Sequence, residues 1–550
     1  MNAAVLLLFG VLWFVFAYFW YGNVIKKKVI HSDNHNLTPS HEMEDGVDFV
    51  PSKNSILFGH HFSSIAGAGP IVGPIIAFAF FGWLPAVIWI LIGSVFIGAV
   101  HDYTTLMISV RNKGKSIVDI SDKVISKKAK SIFTLFVWIT LMLVQAVFAD
   151  LVAKTLENKP EIAIPMIGLI VLALIFGYFV FKKGMNLALG TVLALLILYG
   201  FIQLGQAYPI EAGYNFWLTL TILYALGAAT LPVQVLLQPR DYISMFILVI
   251  GMVLGLAGVF VMQPEINAPA FISFDSEIGP LFPIIFITIA CGAISGFHSL
   301  VSGGTTSKQL DKEGDGKKIA YGGMLMEGLL ALLVIVMISS VLVWGDGNVT
   351  AGAINFQELM KKGPIIVFGN SFGLTAEAIG IPVLLATTFG VLMLKAFILT
   401  TLDTSARLNR YIFQESLGKK FGGFFNNKYF ATAASLIVAY FLCLFDGYKV
   451  LWPMFGTSNQ LIATLSLFVV SAYLFGFKIP KWYTLAPAVL MLLVCEAALI
   501  YQAVWEFWPD GSWHLSILSG FLAILGLVVA GESYSKLREY NKERLETVKA

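Results

Sequence analysis

The sequence predicts an all-α polytopic membrane protein of about fifteen spans, built as a five-plus-five inverted repeat with discontinuous helices. Three observations predict it. The 550 residues are 57% hydrophobic and only 13% charged, with mean hydropathy +0.80; a soluble domain carries about 25% charged residues. Two long apolar stretches are interrupted by Gly, Pro and Ser. Lys and Arg alternate between the two sides of the predicted spans.

The spans are expected at 3–23, 55–80, 83–109, 131–153, 163–181, 186–206, 215–237, 242–263, 279–303, 319–344, 377–404, 429–446, 451–475, 483–504 and 513–532. Each holds about 20 apolar residues, enough to cross a bilayer. Residues 3–23 lack a basic start and a small-x-small site before Lys26-Lys27-Lys28. They read as a spanning helix, not a cleavable signal. With the N-terminus outside, 30 Lys and Arg fall on the inner side and 5 on the outer side, with Lys395 inside a span. That bias predicts N-out, C-in. Segments 31–54 and 533–550 are polar and expected inside. Residues 346–374 form the longest outer loop, a candidate partial lid. Trp83, Trp344, Trp452 and Trp508 fall at span ends, as interface anchors do.

The net charge of +3 points to no nucleic acid, because the basic residues sit in short loops. Cys291, Cys443 and Cys495 all lie in apolar segments, with no disulfide framework and no metal spacing. No cofactor or metal is expected.

The first broken stretch runs Phe58-Gly-His-His-Phe-Ser-Ser-Ile-Ala-Gly-Ala-Gly-Pro-Ile-Val-Gly-Pro74. Gly67, Gly69 and Gly73 weaken a helix, and Pro70 and Pro74 remove donors. In hydrocarbon an unpaired backbone group costs several kcal/mol, so such a break survives only beneath protein or beside a wet cavity. It offers carbonyls to a cation and a half-helix N-terminus to an anion. The second stretch, 291–310, contains Cys291-Gly-Ala-Ile-Ser-Gly-Phe-His-Ser299 and Ser302-Gly-Gly-Thr-Thr306. Under the charge bias the first span runs inside to outside and the second outside to inside. Two broken helices in oppositely oriented halves predict an inverted-repeat transporter. The division is then 1–54, a first helix and polar loop; 55–263, the first repeat with an inserted hairpin at 163–206; 264–475, the second repeat; and 476–550, accessory helices and a basic tail.

An ionisable group within a span costs about 2.5–3.5 kcal/mol on insertion scales and requires a reason. His60 and His61 are interfacial caps or proton carriers. His101-Asp102-Tyr103 also resembles a metal-enzyme HD pair, though no second pair follows. Lys395 must pair, lose its proton or bind an anion; Glu327 and Asp150 are its expected partners, in a fixed lock or a titrating pair. Thr400, Thr401 and Asp403, facing carbonyls near Ala66 to Gly69, would make an oxygen-rich cation site. Asn459 and Gln460 are read as interhelical glue.

These same blocks are similar to the carbon starvation protein A family. They are Gly59-His-His-Phe-Ser-Ser-Ile-Ala-Gly-Ala-Gly-Pro-Ile-Val-Gly-Pro74, His101-Asp-Tyr103, Gly292-Ala-Ile-Ser-Gly-Phe-His-Ser299, Gly303-Gly-Thr-Thr306, Thr400-Thr-Leu-Asp403 and Leu451-Trp-Pro-Met-Phe-Gly456. The resemblance implies a bacterial inner-membrane permease with a LeuT-like core, related to amino acid–polyamine–organocation transporters. It implies uptake of short peptides during carbon starvation, or of pyruvate. The expectation is a symporter coupled to protons or sodium, not an enzyme. Ser63, Ser64, Gly67, Gly69, His298, Ser299, Ser302 and Gly303 are its candidate substrate residues. His61, His101, Asp102, Asp150, Glu327, Lys395, Thr400, Thr401 and Asp403 are its candidate coupling residues. Another carboxylate or amino-acid substrate, a channel, and a metal-dependent intramembrane enzyme are the alternatives. Lipid surrounds the protein, and its oligomeric state stays open.

Overall fold

A computed structural model describes residues 1–345, 354–445, 447–477 and 479–549. The chain is mostly helical, and thirteen described helices are long and apolar enough to cross a membrane. Two more expected spans take shorter forms. Residues 215–237 give the 17-residue helix Tyr214–Thr230, which stops two residues before Pro232, where a backbone donor is lost. Residues 279–303 give a broken pair, Leu281–Thr288 and Gly296–Gly304.

The first broken helix comprises Asn54–Ile65 and Gly69–Phe81. Pro70 sits in the first turn of the second half, where its missing N–H is not needed. Gly69 and Gly73, on either side of it, serve close approach. A Cβ on Gly69 would lie 2.4 Å from Cys291 Sγ, and one on Gly73 would lie 2.3 Å from the Thr288 carbonyl oxygen. These contacts also give a direction. His61 meets Thr306, Gly69 meets Cys291 and Gly73 meets Thr288. As one chain number rises the other falls, so the two broken helices lie side by side and antiparallel.

Around them stand Trp83–Arg111, Lys127–Asn158, Leu237–Met262, Gly322–Val341, Val383–Phe413 and Gly447–Gly476. Lys127–Asn158 is a 32-residue helix capped by Ser126, whose Oγ accepts from the Ala129 N–H at 3.1 Å. The hairpin expected at 163–206 forms, as Ala163–Phe176 with its continuation to Lys182, then Leu187–Ala207. Asn186 caps the second helix, accepting from Ala188 at 2.9 Å and Leu189 at 3.2 Å. Its outer faces are apolar and exposed, as contact with lipid requires.

Both ends of the bundle are covered. At one end the polar segment before Asn54 lies across residues 308–311. Val50 N–H donates to the Lys308 carbonyl at 3.2 Å, Ser52 N–H to Gln309 at 3.1 Å, and Ser40 Oγ to Leu310 at 2.8 Å. Asp48 pairs with the buried Arg407 at 3.2 Å. At the other end is the expected lid region. Its residues 346–353 lie outside the described ones, but the rest forms Phe356–Lys362 and Pro364–Glu377. Phe356, Trp344 and Phe78 pack as an aromatic trio with centroids 4.8–5.0 Å apart, fixing this cap to the first broken helix.

Overpacking a tight helix contact costs roughly 1–3 kcal/mol. Gly73→Val should therefore lower the thermal transition of the detergent-purified protein. Gly520→Ala, with open space around its site, should leave it unchanged. Equal behaviour of the two variants would refute the close-approach account.

Candidate functional site

Two buried polar clusters flank the paired breaks. The first is centred on Arg240, in the first turn of Leu237–Met262. Its Nη2 donates to Asp241 Oδ1 at 2.6 Å and to Asp403 Oδ1 at 3.1 Å, while its Nη1 meets Asp403 Oδ2 and the Tyr224 hydroxyl. Tyr224 donates to Asp403 Oδ2 at 2.9 Å. His60 Nδ1 lies 2.7 Å from Asp241 Oδ2, and Thr400 Oγ1 donates to Asp241 Oδ1 at 3.2 Å. Ser63 Oγ donates to the Asp241 carbonyl at 2.8 Å. Arg240, Asp241, Asp403 and His60 are wholly buried. Four helices thus meet on one guanidinium. Two carboxylates and one guanidinium, all ionised, leave one negative charge beside His60.

The expected cation site takes a different form. Asp403 turns to Arg240 and Tyr224, so the protein's own cation occupies the carboxylate pair. Thr401 does reach the break. Its Oγ1 donates to the Ser64 carbonyl at 3.2 Å, and it is the neighbour a Cβ on Gly67 would meet, at 2.7 Å. Ser64 Oγ lies 3.4 Å from Thr404 Oγ1.

The second cluster joins Trp83–Arg111 to the second break. Asp102 holds two imidazoles: His101 Nδ1 at 2.7 Å from Oδ1 and His298 Nδ1 at 2.9 Å from Oδ2. His298 Nε2 lies 3.3 Å from Glu327 Oε2 without hydrogen-bond alignment. Cys291 Sγ faces the same two groups. His61 Nδ1 lies 2.9 Å from Thr306 Oγ1.

Lys395 joins neither cluster. It donates to the Leu151 carbonyl, and Asp150, though not in direct contact, is the carboxylate whose charge acts on it. Glu327, one expected partner, faces His298 instead. Asp150, the other, pairs with Lys154 at 2.9 Å and accepts from the Tyr214 hydroxyl at 2.6 Å. Of the remaining candidates on the second broken helix, Ser299 and Gly303 make their contacts elsewhere than with the first. Ser299 Oγ donates to the Gly296 carbonyl at 2.7 Å and lies 2.9 Å from Ser466 Oγ. The Gly303 carbonyl accepts from Ser109 at 3.1 Å and Ser307 at 2.8 Å. Ser302 Oγ is buried, with no partner among the described residues. Asn459 acts as glue: its Oδ1 accepts from the Phe297 N–H at 2.8 Å and its Nδ2 donates to Ser295 Oγ at 2.9 Å, capping Gly296–Gly304.

Arg240, Asp241 and Tyr224 were not among the sequence candidates. Arg240 and Asp241 read as the polar start of a helix, and Tyr224 as one aromatic among many. The signal available was that Arg240 is the one basic residue between the spans expected at 215–237 and 242–263.

Cavities of about 310 Å³ and 1030 Å³ lie at opposite ends of the first broken helix. Ile76, Phe80, Thr288 and Trp452 line the smaller. Ser52, Lys53, Gln238 and Tyr242 line the larger. Between them the breaks are sealed, since Ser63, Ser64, Ala66, Ala68 and Thr401 are all buried.

The comparisons agree with this architecture. The family model described as carbon starvation protein CstA matches residues 2–358 and 348–498. The peptide transporter CstA of Bacillus subtilis is 33% identical over 96% of this chain and 95% of its own. The pyruvate/proton symporter BtsT of Escherichia coli is 33% identical over 88% of this chain and 79% of its own. Among solved structures, a mutant of the Eremococcus coleocola manganese transporter shares the fold at a TM-score of 0.50 and 11% identity, over 90% of this chain and 99% of that one. The fold is thus that of LeuT-like transporters, and the chain belongs to the carbon starvation protein CstA family of multi-pass membrane proteins.

Proposed function

We propose that this protein is a proton-coupled symporter that imports a small carboxylate, pyruvate or a short peptide, across the bacterial inner membrane under carbon limitation. Fifteen spans, N-out and C-in, with repeats at 55–263 and 264–475, are the topology that goes with it. The observation that carries the coupling is the Arg240 guanidinium between Asp241 and Asp403. A fixed cation there replaces a sodium ion, and the charge left over is matched by a proton on His60.

The rest of the site supports a carboxylate. The half-helix Gly69–Phe81 begins at the break, with its positive end toward the paired breaks. The second half-helix is capped by Asn459, so the first is the better anion donor. When His60 carries a proton, Asp241 holds Asn54–Ile65 against Leu237–Met262. When it loses the proton, the two carboxylates keep Arg240 as their one cation, one negative charge stays unmatched, and the contact is weakened.

Labelled pyruvate and dialanine in proteoliposomes test the reading. An acid-outside gradient should drive accumulation of at least one of them, and replacing sodium by choline should change nothing. Uptake that requires sodium, or no uptake of either class by folded protein, refutes it. His60→Asn should retain counterflow exchange but lose accumulation driven by the pH gradient. Full gradient-driven uptake by that variant would remove His60 from the coupling. Arg240→Gln, leaving two buried carboxylates without their cation, should abolish both activities and lower the thermal transition.

A further inference from the structure

Cys291 Sγ, His298 Nε2 and a Glu327 carboxylate oxygen lie within 4.8 Å of one another, and all three side chains are buried. They come from three places: the non-helical second break, the first turn of Gly296–Gly304, and the helix Gly322–Val341. Two further observations point to a ligand. His298 Nε2 and both Glu327 carboxylate oxygens have no hydrogen-bond partner among the described residues, although buried polar atoms are normally satisfied. On the other side of the ring, Asp102 Oδ2 sits 2.9 Å from His298 Nδ1. A carboxylate on one imidazole nitrogen is the arrangement that fixes the tautomer and presents the other nitrogen to a metal.

Thiolate, imidazole and carboxylate together suit a borderline divalent transition ion, whereas magnesium and calcium take oxygen donors. Zinc bonds of about 2.0–2.3 Å set tetrahedral ligand atoms roughly 3.3–3.8 Å apart. The 3.3 Å between His298 Nε2 and Glu327 Oε2 already matches, and Cys291 needs a small inward shift. Asn459 Nδ2, 3.8 Å from Cys291 Sγ, is placed to donate to a thiolate.

We propose that Cys291, His298 and Glu327 form a binding site for a divalent transition-metal ion of the zinc class, with water as the fourth ligand. On binding, the Cys291 S–H and Glu327 carboxyl O–H bonds break, both protons leave to solvent, and metal–sulfur and metal–oxygen bonds form. The thiolate and the Glu327 carboxylate balance the two positive charges. The ion ties the second break to Gly322–Val341. Arrest of transport follows from that tie only if the transporter reading above holds.

The test uses the full-length protein in detergent, titrated with zinc or cobalt. Zinc should raise the thermal transition, and cobalt should give thiolate-to-metal charge-transfer absorption in the near ultraviolet. The Cys443→Ser/Cys495→Ser double variant keeps Cys291 as its one cysteine and should retain that band. Cys291→Ser should lose it, and His298→Gln should lose the zinc stabilisation. No band in the double variant, or undiminished zinc stabilisation of folded Cys291→Ser, overturns the site; a His298–Glu327 pair that merely shares a proton gives that result. Zinc bound by these criteria that leaves pyruvate counterflow at full rate contradicts the transport consequence and leaves the site standing.

Discussion

A charge at membrane depth persists only where a partner of opposite sign is held beside it. In this protein that constraint is concentrated on Arg240. Its guanidinium draws Asp241, Asp403, Tyr224 and, through Asp241, His60 to one point. These residues belong to Asn54–Ile65, Tyr214–Thr230, Leu237–Met262 and Val383–Phe413. Neither Leu237–Met262 nor Val383–Phe413 can leave without exposing a charge to hydrocarbon or stranding one in the core. The cluster therefore fixes how the first broken helix stands against the scaffold, and a proton is the smallest change that can alter it.

The two breaks depend on that framework and on packing tight enough to exclude side chains. Gly69 against Cys291 and Gly73 against the Thr288 carbonyl bring backbone to backbone distance. The breaks are then covered from both directions. The 31–53 segment is laced to residues 308–311 at one end, and Trp344 with Phe356 closes over Phe78 at the other. Cavities lie beyond both ends of the first broken helix, and the residues of the breaks between them are buried.

Much of this was legible in the sequence. Gly and Pro within an apolar run state that the helix stops, whatever surrounds it, so both breaks were located directly. The hairpin at 163–206 was legible because Lys182-Lys183-Gly184 interrupts two apolar runs. Partnerships were not legible. Lys395 and Glu327 each required a partner, but a sequence gives the need and not the identity, and the fold sets Glu327 beside His298 and gives Lys395 a carbonyl, with Asp150 acting on it by charge alone. Asp403 was expected to hold a bound ion. It holds Arg240 instead, because a residue more than 160 positions away arrives on a neighbouring helix. Ser299 and Gly303 share their stretch with His298, but helical rotation turns them toward Ser466 and Ser109.

In the proposed mechanism the Arg240 nest excludes sodium and His60 carries the coupled proton. Proton uptake on substrate binding measures it most directly, followed with a pH-reporting dye in weakly buffered detergent solution. The account predicts that binding takes up a proton in the native protein, that His60→Asn abolishes the uptake, and that sodium leaves both results unchanged. Substrate binding that requires sodium and moves no proton would contradict it.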